Sequence, residues 1–395
     1  MQRVFITGIG VISAIGHTVA ANHLALTKGL GGISRNIPFH TRHSDLPAGV
    51  VTMSDADLKR ALGVSDDRAV RTSLLGLHAM GEAVKDAGLT PDEMASATTA
   101  LVAGTTVGGM TEADDLYRDV TELRTASPFL SAYDCASVTL FLREHYKMQG
   151  IVNTINTACS SSANAIIYGA RLIRNGLARM VVAGGMDGLS RFTLNGFSSL
   201  HILSPEICAP FDANRQGLNL GEGAAFLVLE GGDTLAAGRK IYAELTGWHN
   251  SSDAFHPTAL SPEGEGPFLA MQGALTAAGL HPAEIDCINA HGTGTENNDS
   301  VESRAMLRVF DPVPPFVSTK SYTGHTLGAA AAVEAVFSLL SLRHQELYPG
   351  LQFVEPIAGT GLRPVTSRQP AAIRHVMSNS FGFGGSCASL IFSRS

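Results

Sequence analysis

The sequence is poor in charge and in tryptophan, and its few cysteines form no pattern. Only 16% of its 395 residues are charged, and there is a single Trp. The net charge of −7 leaves no basic excess, which argues against a nucleic-acid binder. Cysteines stand at 135, 159, 208, 287 and 387, an odd number at wide and irregular spacing. That argues against a disulfide framework or a zinc site and fits reduced thiols. No apolar run reaches the length needed to span a bilayer, and Met1-Gln-Arg-Val-Phe-Ile enters a strand pattern with no signal-peptide pattern before it. A cytoplasmic protein with no membrane partner is the expectation. Glycine and apolar residues are plentiful instead: 42 Gly and 45% hydrophobic side chains imply a compact interior in which backbones approach closely.

The chain repeats itself. Ala79 to Glu93 resembles Ala270 to Glu284 at an offset of 191, and each copy runs into a hydrophobic strand and a small-residue turn. A second echo pairs Gly221 to Leu229 with Gly384 to Phe392. Two similar halves are implied, roughly 1–230 and 231–395, each alternating strands with helices, so an α/β fold with flanking helices follows. Such pseudo-symmetry would bring equivalent turns of the two halves to one central site.

Cys159 is the first candidate for that site. Ile151 to Ile155 has the β-branched content of a strand, and Ala163, Ile166, Ile167, Ala170 and Ile173 recur at helical spacing up to Gly176. Cys159 thus falls at a turn before a helix N-terminus, where free N–H groups and the helix dipole would favour a thiolate. A small buried hydrophobe is the other reading. In the second half His291 follows the strand Ile285 to Ala290 among Gly292, Thr293, Gly294 and Thr295, which leave room for a ligand. Val317 to Glu334 again reads as strand, turn and helix, with Lys320 and His325 on the turn and Glu334 placed to pair with Lys320. Asn379 to Ser386 carries three glycines and reads as a mobile loop bearing Phe381 and Phe383. Gly8-Ile-Gly10 is too incomplete for a dinucleotide site, and His40, His43 and Asp45 read as a surface loop rather than a metal cluster. Lys59, Arg60, Arg68 and Arg71 form a basic stretch that suits a solvated face or an acidic partner.

The motifs Thr157-Ala-Cys-Ser-Ser, Ala290-His-Gly-Thr-Gly-Thr, Lys320-Ser-Tyr-Thr-Gly-His-Thr-Leu-Gly-Ala-Ala and Asn379-Ser-Phe-Gly-Phe-Gly-Gly stand in one order along nearly the whole chain. Together they resemble the elongating β-ketoacyl-acyl carrier protein synthases of the thiolase superfamily. The resemblance implies a thiolase-like five-layered αβαβα fold with internal duplication, and a decarboxylating Claisen condensation with malonyl-acyl carrier protein. It implies Cys159 as acyl acceptor, His291 and His325 as donors to the malonyl thioester, Lys320 as their support and Glu334 as support of Lys320. Backbone N–H groups of Cys159 and Phe383 would form the oxyanion hole. Phe381 and Phe383 would gate the acyl tunnel, Thr293 and Thr295 would bind substrate, and Leu130, in Ser127-Pro-Phe-Leu130, would reach across a dimer to set chain length. No metal or other cofactor is implied. The partner would be an acyl carrier protein, typically acidic, and the assembly a homodimer or heterodimer. Ala209, Glu296 and the pair Ser386-Cys387 depart from the family's common pattern. They leave fatty-acid and specialised type II pathways, polyketide or aryl-polyene, both open. A biosynthetic thiolase and a non-catalytic chain-length partner are the rival readings.

Overall fold

A computed structural model describes residues 2–112, 118, 122, 130–236 and 238–395. Ten strands make one continuous sheet: β1 (Val4–Ser13), β2 (Thr99–Gly104), β3 (Val152–Ile155), β4 (Met180–Asp187), β5 (Gly223–Gly231), β6 (Ala243–Ser252), β7 (Cys287–Asn289), β8 (Phe316–Val317), β9 (His375–Phe381) and β10 (Ser386–Ser393). Their order is β3-β2-β4-β5-β1 in the first half and β6-β10-β9-β7-β8 in the second. Adding five to each number of the first half gives its counterpart in the second, with the same parallel and antiparallel senses. Within this sheet the halves pair where Phe5 and Ile6 of β1 face Glu244 and Ala243 of β6. Short, apolar strands with crossover helices produce this topology, because a strand buried on both faces needs a helix on each.

The helices supply the remaining layers. Helix α1 (Arg71–Asp86) covers the outer face of the first half, where Leu74, Leu75, Leu77 and Met80 are buried against Ile12, Leu101, Val182 and Phe226. Burial of each such side chain contributes about 1.5–3 kcal/mol. Helix α2 (Ser161–Arg174) and its counterpart α5 (Ala330–His344) form the middle layer and share one core with both halves of the sheet. Helices α3 (Glu265–Ala278) and α4 (Glu296–Val309) cover the other outer face. The order is therefore helix, sheet, helix pair, sheet, helix pair, the five layers expected.

The middle layer also explains an apolar stretch that breaks the expectation of no membrane-length run. Leu327–His344 has the length and mean hydropathy of a span, yet 89% of it is buried inside the protein. A helix hydrophobic all round is what a central layer demands. Small residues let the layers close: a Cβ on Gly104 would lie 2.5 Å from the Ser162 backbone nitrogen.

Two other expectations change. Asn379 to Phe381 are not loop but the end of β9, paired on one side with β10. The polar side chain of Asn379 is tolerated in the sheet interior because it accepts from Ser389 Oγ at 2.8 Å. Only Gly382 to Gly385 form the turn. Arg71, read as part of a surface basic stretch, is internal: it bonds Glu222 at 2.5 and 2.7 Å and Asp55 at 2.5 Å. Arg60 and Arg68 are also matched by acids, Asp57 and Asp66.

Candidate active site

The turn between β3 and α2 places Cys159 by a local contortion. Ala158 has φ 51°, a left-handed conformation unusual for a residue with a Cβ, and Leu327 repeats it with φ 51° just before α5. The side chain of Cys159 is thereby turned out of the strand and lies buried in front of α2. Gly382 passes against this turn: a Cβ there would sit 2.9 Å from the Thr157 carbonyl and 3.1 Å from the Cys159 nitrogen. Ser160 Oγ, bonded to Ser386 Oγ at 2.9 Å, ties the Cys159 turn of one half to the hairpin turn of the other.

The second half delivers the two imidazoles. One nitrogen of His291, one of His325 and the Cys159 sulfur all lie within 4.8 Å of one another. The rings of His291 and His325 stand nearly perpendicular, 5.4 Å apart. Each ring has its Nδ1 occupied by a donor. Leu327 N–H donates to His325 Nδ1 at 3.2 Å, and Lys320 Nζ stands 3.2 Å from His291 Nδ1. An ammonium carries donors only, so His291 Nδ1 accepts. Burial, the Lys320 charge and, for His291, the neighbouring imidazole hold both histidines well below the usual range, hence neutral. A neutral imidazole that accepts at Nδ1 carries its proton at Nε2. Both rings therefore present Nε2–H, and that of His325 is buried with no protein partner among the described residues. The same tautomers disfavour a metal ion at this trio, since the one lone pair of each ring, on Nδ1, already accepts a hydrogen bond.

Lys320 is held from three sides. Its ammonium bonds Glu334 and the His291 carbonyl, the latter at 2.5 Å, besides His291 Nδ1. Burial pushes Glu334 upward while Lys320 pulls it down. The expected thiolate preference of Cys159 is not what the surroundings produce. Burial pushes its thiol up to about 11, although Lys320 and the N–H groups of Phe383 and Cys159 pull in the other direction. Desolvation outweighs the turn's donors because α2 starts two residues further on and the sulfur is enclosed.

Three carboxylates escape a reading of the sequence. Glu302, one turn along α4 from Asp299, accepts the N–H groups of His291 and Gly292, both at 2.8 Å. Asp299 accepts from Thr293, Gly294 and Phe211. Asp187, at the end of β4, gathers Thr105, Thr106, Val107 and Gly328 and so links both halves beside Cys159. In sequence all three look like ordinary helix or strand-end charges; the only signal is that Asp299 and Glu302 share a face with Val301 and Ala305 buried around them. Burial raises Glu302 to about 7 in the folded chain against an ordinary 4.5. The folded state then holds the proton more tightly than the unfolded one. The stability that this contributes is present below about pH 4.5 and is lost as pH rises to about 7. Relative to Glu302→Gln, wild type is expected to lose on the order of 1–3 kcal/mol across that window, read from urea midpoints at successive pH. A flat difference would show that Glu302 does not titrate there.

A cavity of about 530 Å³ opens over the trio, lined among others by Cys159, His291, His325, Thr293, Thr295 and Phe383. Phe381 lies edge-on to His291 at 5.9 Å and stands opposite Cys387 at the end of β9, on the cavity wall. Phe383, on the turn, stacks on Phe197 at 5.8 Å. Thr293 and Thr295 are bonded to each other at 2.8 Å on the cavity wall. Leu130 is 59% exposed and lies away from its own chain's cavity, and residues 127–129 of its segment lie outside the described residues. Cys387 is buried among Leu260, Ala270, Val301 and Phe381.

Comparison with known proteins places this geometry. Residues 1–234 match the family description "Beta-ketoacyl synthase, N-terminal domain" and residues 242–354 match "Beta-ketoacyl synthase, C-terminal domain". The chain is 34% identical to the 3-oxoacyl-[acyl-carrier-protein] synthase 2 of Vibrio cholerae, covering 100% of this chain and 99% of that protein. It is 35% identical to the 3-oxoacyl-[acyl-carrier-protein] synthase 1 of Haemophilus influenzae, over 100% and 99%. Among solved structures it is similar to the ishigamide ketosynthase/chain length factor, with TM-score 0.94, 33% identity and coverage of 100% and 99%. It is also similar to the ketosynthase ApeO in complex with its chain length factor ApeC from Xenorhabdus doucetiae, with TM-score 0.86, 34% identity and coverage of 100% and 98%.

Proposed function

The chain belongs to the β-ketoacyl synthase family, and from that premise we propose how its residues share a decarboxylating Claisen condensation. The enzyme is an acyltransferase of the 3-oxoacyl-acyl carrier protein synthase type, acting in fatty-acid or type II polyketide or aryl-polyene-like biosynthesis. Its partner is an acyl carrier protein, and it works as a dimer with a second copy or with a chain-length subunit.

In the first step the Cys159 sulfur attacks the donor thioester; its proton leaves with the carrier thiol, and the acyl group stays on Cys159. The N–H groups of Cys159 and Phe383, directed at this sulfur, receive the charge that develops on the carbonyl oxygen. In the second step malonyl thioester binds with its carbonyl oxygen between the two Nε2–H groups. The bond from the α-carbon to the carboxylate breaks, carbon dioxide leaves, and its electron pair becomes the enolate those donors stabilise. The enolate carbon then attacks acyl-Cys159, forming the carbon–carbon bond and releasing the cysteine sulfur, which takes up a proton. Lys320 keeps His291 in the required tautomer, and Glu334 keeps Lys320 in place. Phe383 and Leu130 are assigned to the acyl pocket, Leu130 from the neighbouring subunit. The nucleophile belongs to a half spanning 1–230 and the histidines and Lys320 to a half spanning 231–395. Five unpaired thiols suit a cytoplasmic location.

The observation that carries this reading is the convergence of one sulfur and one ring nitrogen from each of two neutral histidines within 4.8 Å in a cavity. A thiolase would need a second reactive cysteine there, and Cys387 is sealed in the core. The test is intact-mass measurement after incubation with acyl-carrier proteins of graded chain length, beside Cys159→Ala. The expected result is an added acyl mass on wild type and none on the variant. An unmodified, folded wild type with every donor would sink the reading in favour of a non-catalytic subunit.

A further inference from the structure

Nothing so far accounts for the outer end of the cavity, which is lined by one face of α4. Glu296, Asn297, Ser300, Val301 and Arg304 recur at helical spacing along the cavity wall. From Thr295, beside the histidine loop, to Arg304 is nine residues, or about 13 Å of helix. At that end the guanidinium of Arg304 crosses to the opposite wall and bonds the Pro262 carbonyl at 2.7 Å. That single bond fixes its position while the residue stays exposed. Among the described lining residues Arg304 is the one permanently charged cation; the two histidines are neutral and the one carboxylate, Glu296, stands about two helical turns nearer the catalytic end. Arg308, one turn further on, is already matched by Glu265 and the Glu263 carbonyl.

We propose that Arg304 is the anchor for the phosphodiester of the phosphopantetheine arm that carries the acyl group, and so a specificity residue for carrier-bound over free thioesters. The proposal rests on the ketosynthase reading above and extends it to the mouth of the same cavity. The arm is a flexible chain with its thioester at one end and a single negative charge at the other. A cavity that holds the thioester at Cys159 must present something to that charge where the arm emerges. A guanidinium with free N–H groups beside its Pro262 bond suits a phosphate better than an ammonium, because its planar fork can engage two oxygens at once. The pairing is half-solvated, so it is worth a modest factor that added salt will erode.

The test compares two small donors that differ only in the phosphate, octanoyl-phosphopantetheine and octanoyl-pantetheine, in acylation of Cys159 followed by intact mass. Wild type is expected to show a KM lower by about fivefold for the phosphorylated donor, with similar maximal rates and a preference that fades with ionic strength. In Arg304→Gln the two KM values should converge, while Arg304→Lys retains part of the difference. Acylation with no phosphate preference in wild type overturns the proposal. So does a preference that survives Arg304→Gln, or an equal loss with both donors, which would mean that Arg304 only pins the Pro262 loop. No acylation of wild type by either donor would overturn the ketosynthase reading itself.

Discussion

His325→Ala is expected to leave Cys159 open to acylation while slowing decarboxylation of the malonyl unit by about 10²–10³-fold. The two half-reactions draw on different donors. In the proposed mechanism acylation uses the N–H groups of Cys159 and Phe383, which the substitution does not touch. Decarboxylation places a full negative charge on the thioester oxygen, and His325 Nε2–H is a buried donor with no other employment. Because Leu327 N–H fills its Nδ1, this ring gives a hydrogen bond and has no lone pair in the cavity with which to act as a base. His325→Gln should therefore recover about tenfold of the loss, since an amide N–H can reach a similar point but a glutamine cannot serve as a base. Carbon dioxide release from malonyl-carrier protein and mass gain from acyl-carrier protein, measured separately, check the division. Equal losses in both assays would place His325 in the first step as well.

The candidate site positions are legible in the sequence because each sits where a period changes. Cys159 lies where a β-branched run gives way to helical spacing, and His325 lies at the corresponding point of the second half. A repeat detectable in Ala79 to Glu93 and Ala270 to Glu284 was enough to expect that these turns meet. What remained hidden depends on contacts between distant parts of the chain. Arg71 looks like a surface charge until Glu222, 151 residues away, closes on it. Glu302 looks like any helix carboxylate until the His291 loop folds back onto it. Asn379 to Phe381 looks like loop because Gly dominates its neighbours, but pairing with β10 continues the strand to Phe381 and overrides local propensity. The helix end alone pulls Cys159 toward thiolate. Enclosure by the second half, which no local pattern reports, reverses it.

Lys320 and Glu334 allow stability to be separated from chemistry. Each alone is buried, 2% and 4% exposed at the side chain, and each would be left without its counter-charge by removal of the other. Lys320→Met and Glu334→Leu should each destabilise the fold by about 3–5 kcal/mol, read from denaturant midpoints. The double variant fills the same space with apolar side chains and should regain most of that loss, because two desolvated charges vanish together. Activity will not follow. Without the ammonium, His291 Nδ1 has no donor facing it, and the ring is free to move its proton from Nε2 to Nδ1. A lone pair then meets the enolate oxygen where a donor is needed, and decarboxylation should stay down by about 10²-fold in the double variant. Recovery of stability together with activity would mean that the ion pair is structural alone and that His291 holds its tautomer by other means. Recovery of stability without activity would assign the pair its place in the chemistry, acting through His291 and never touching the substrate.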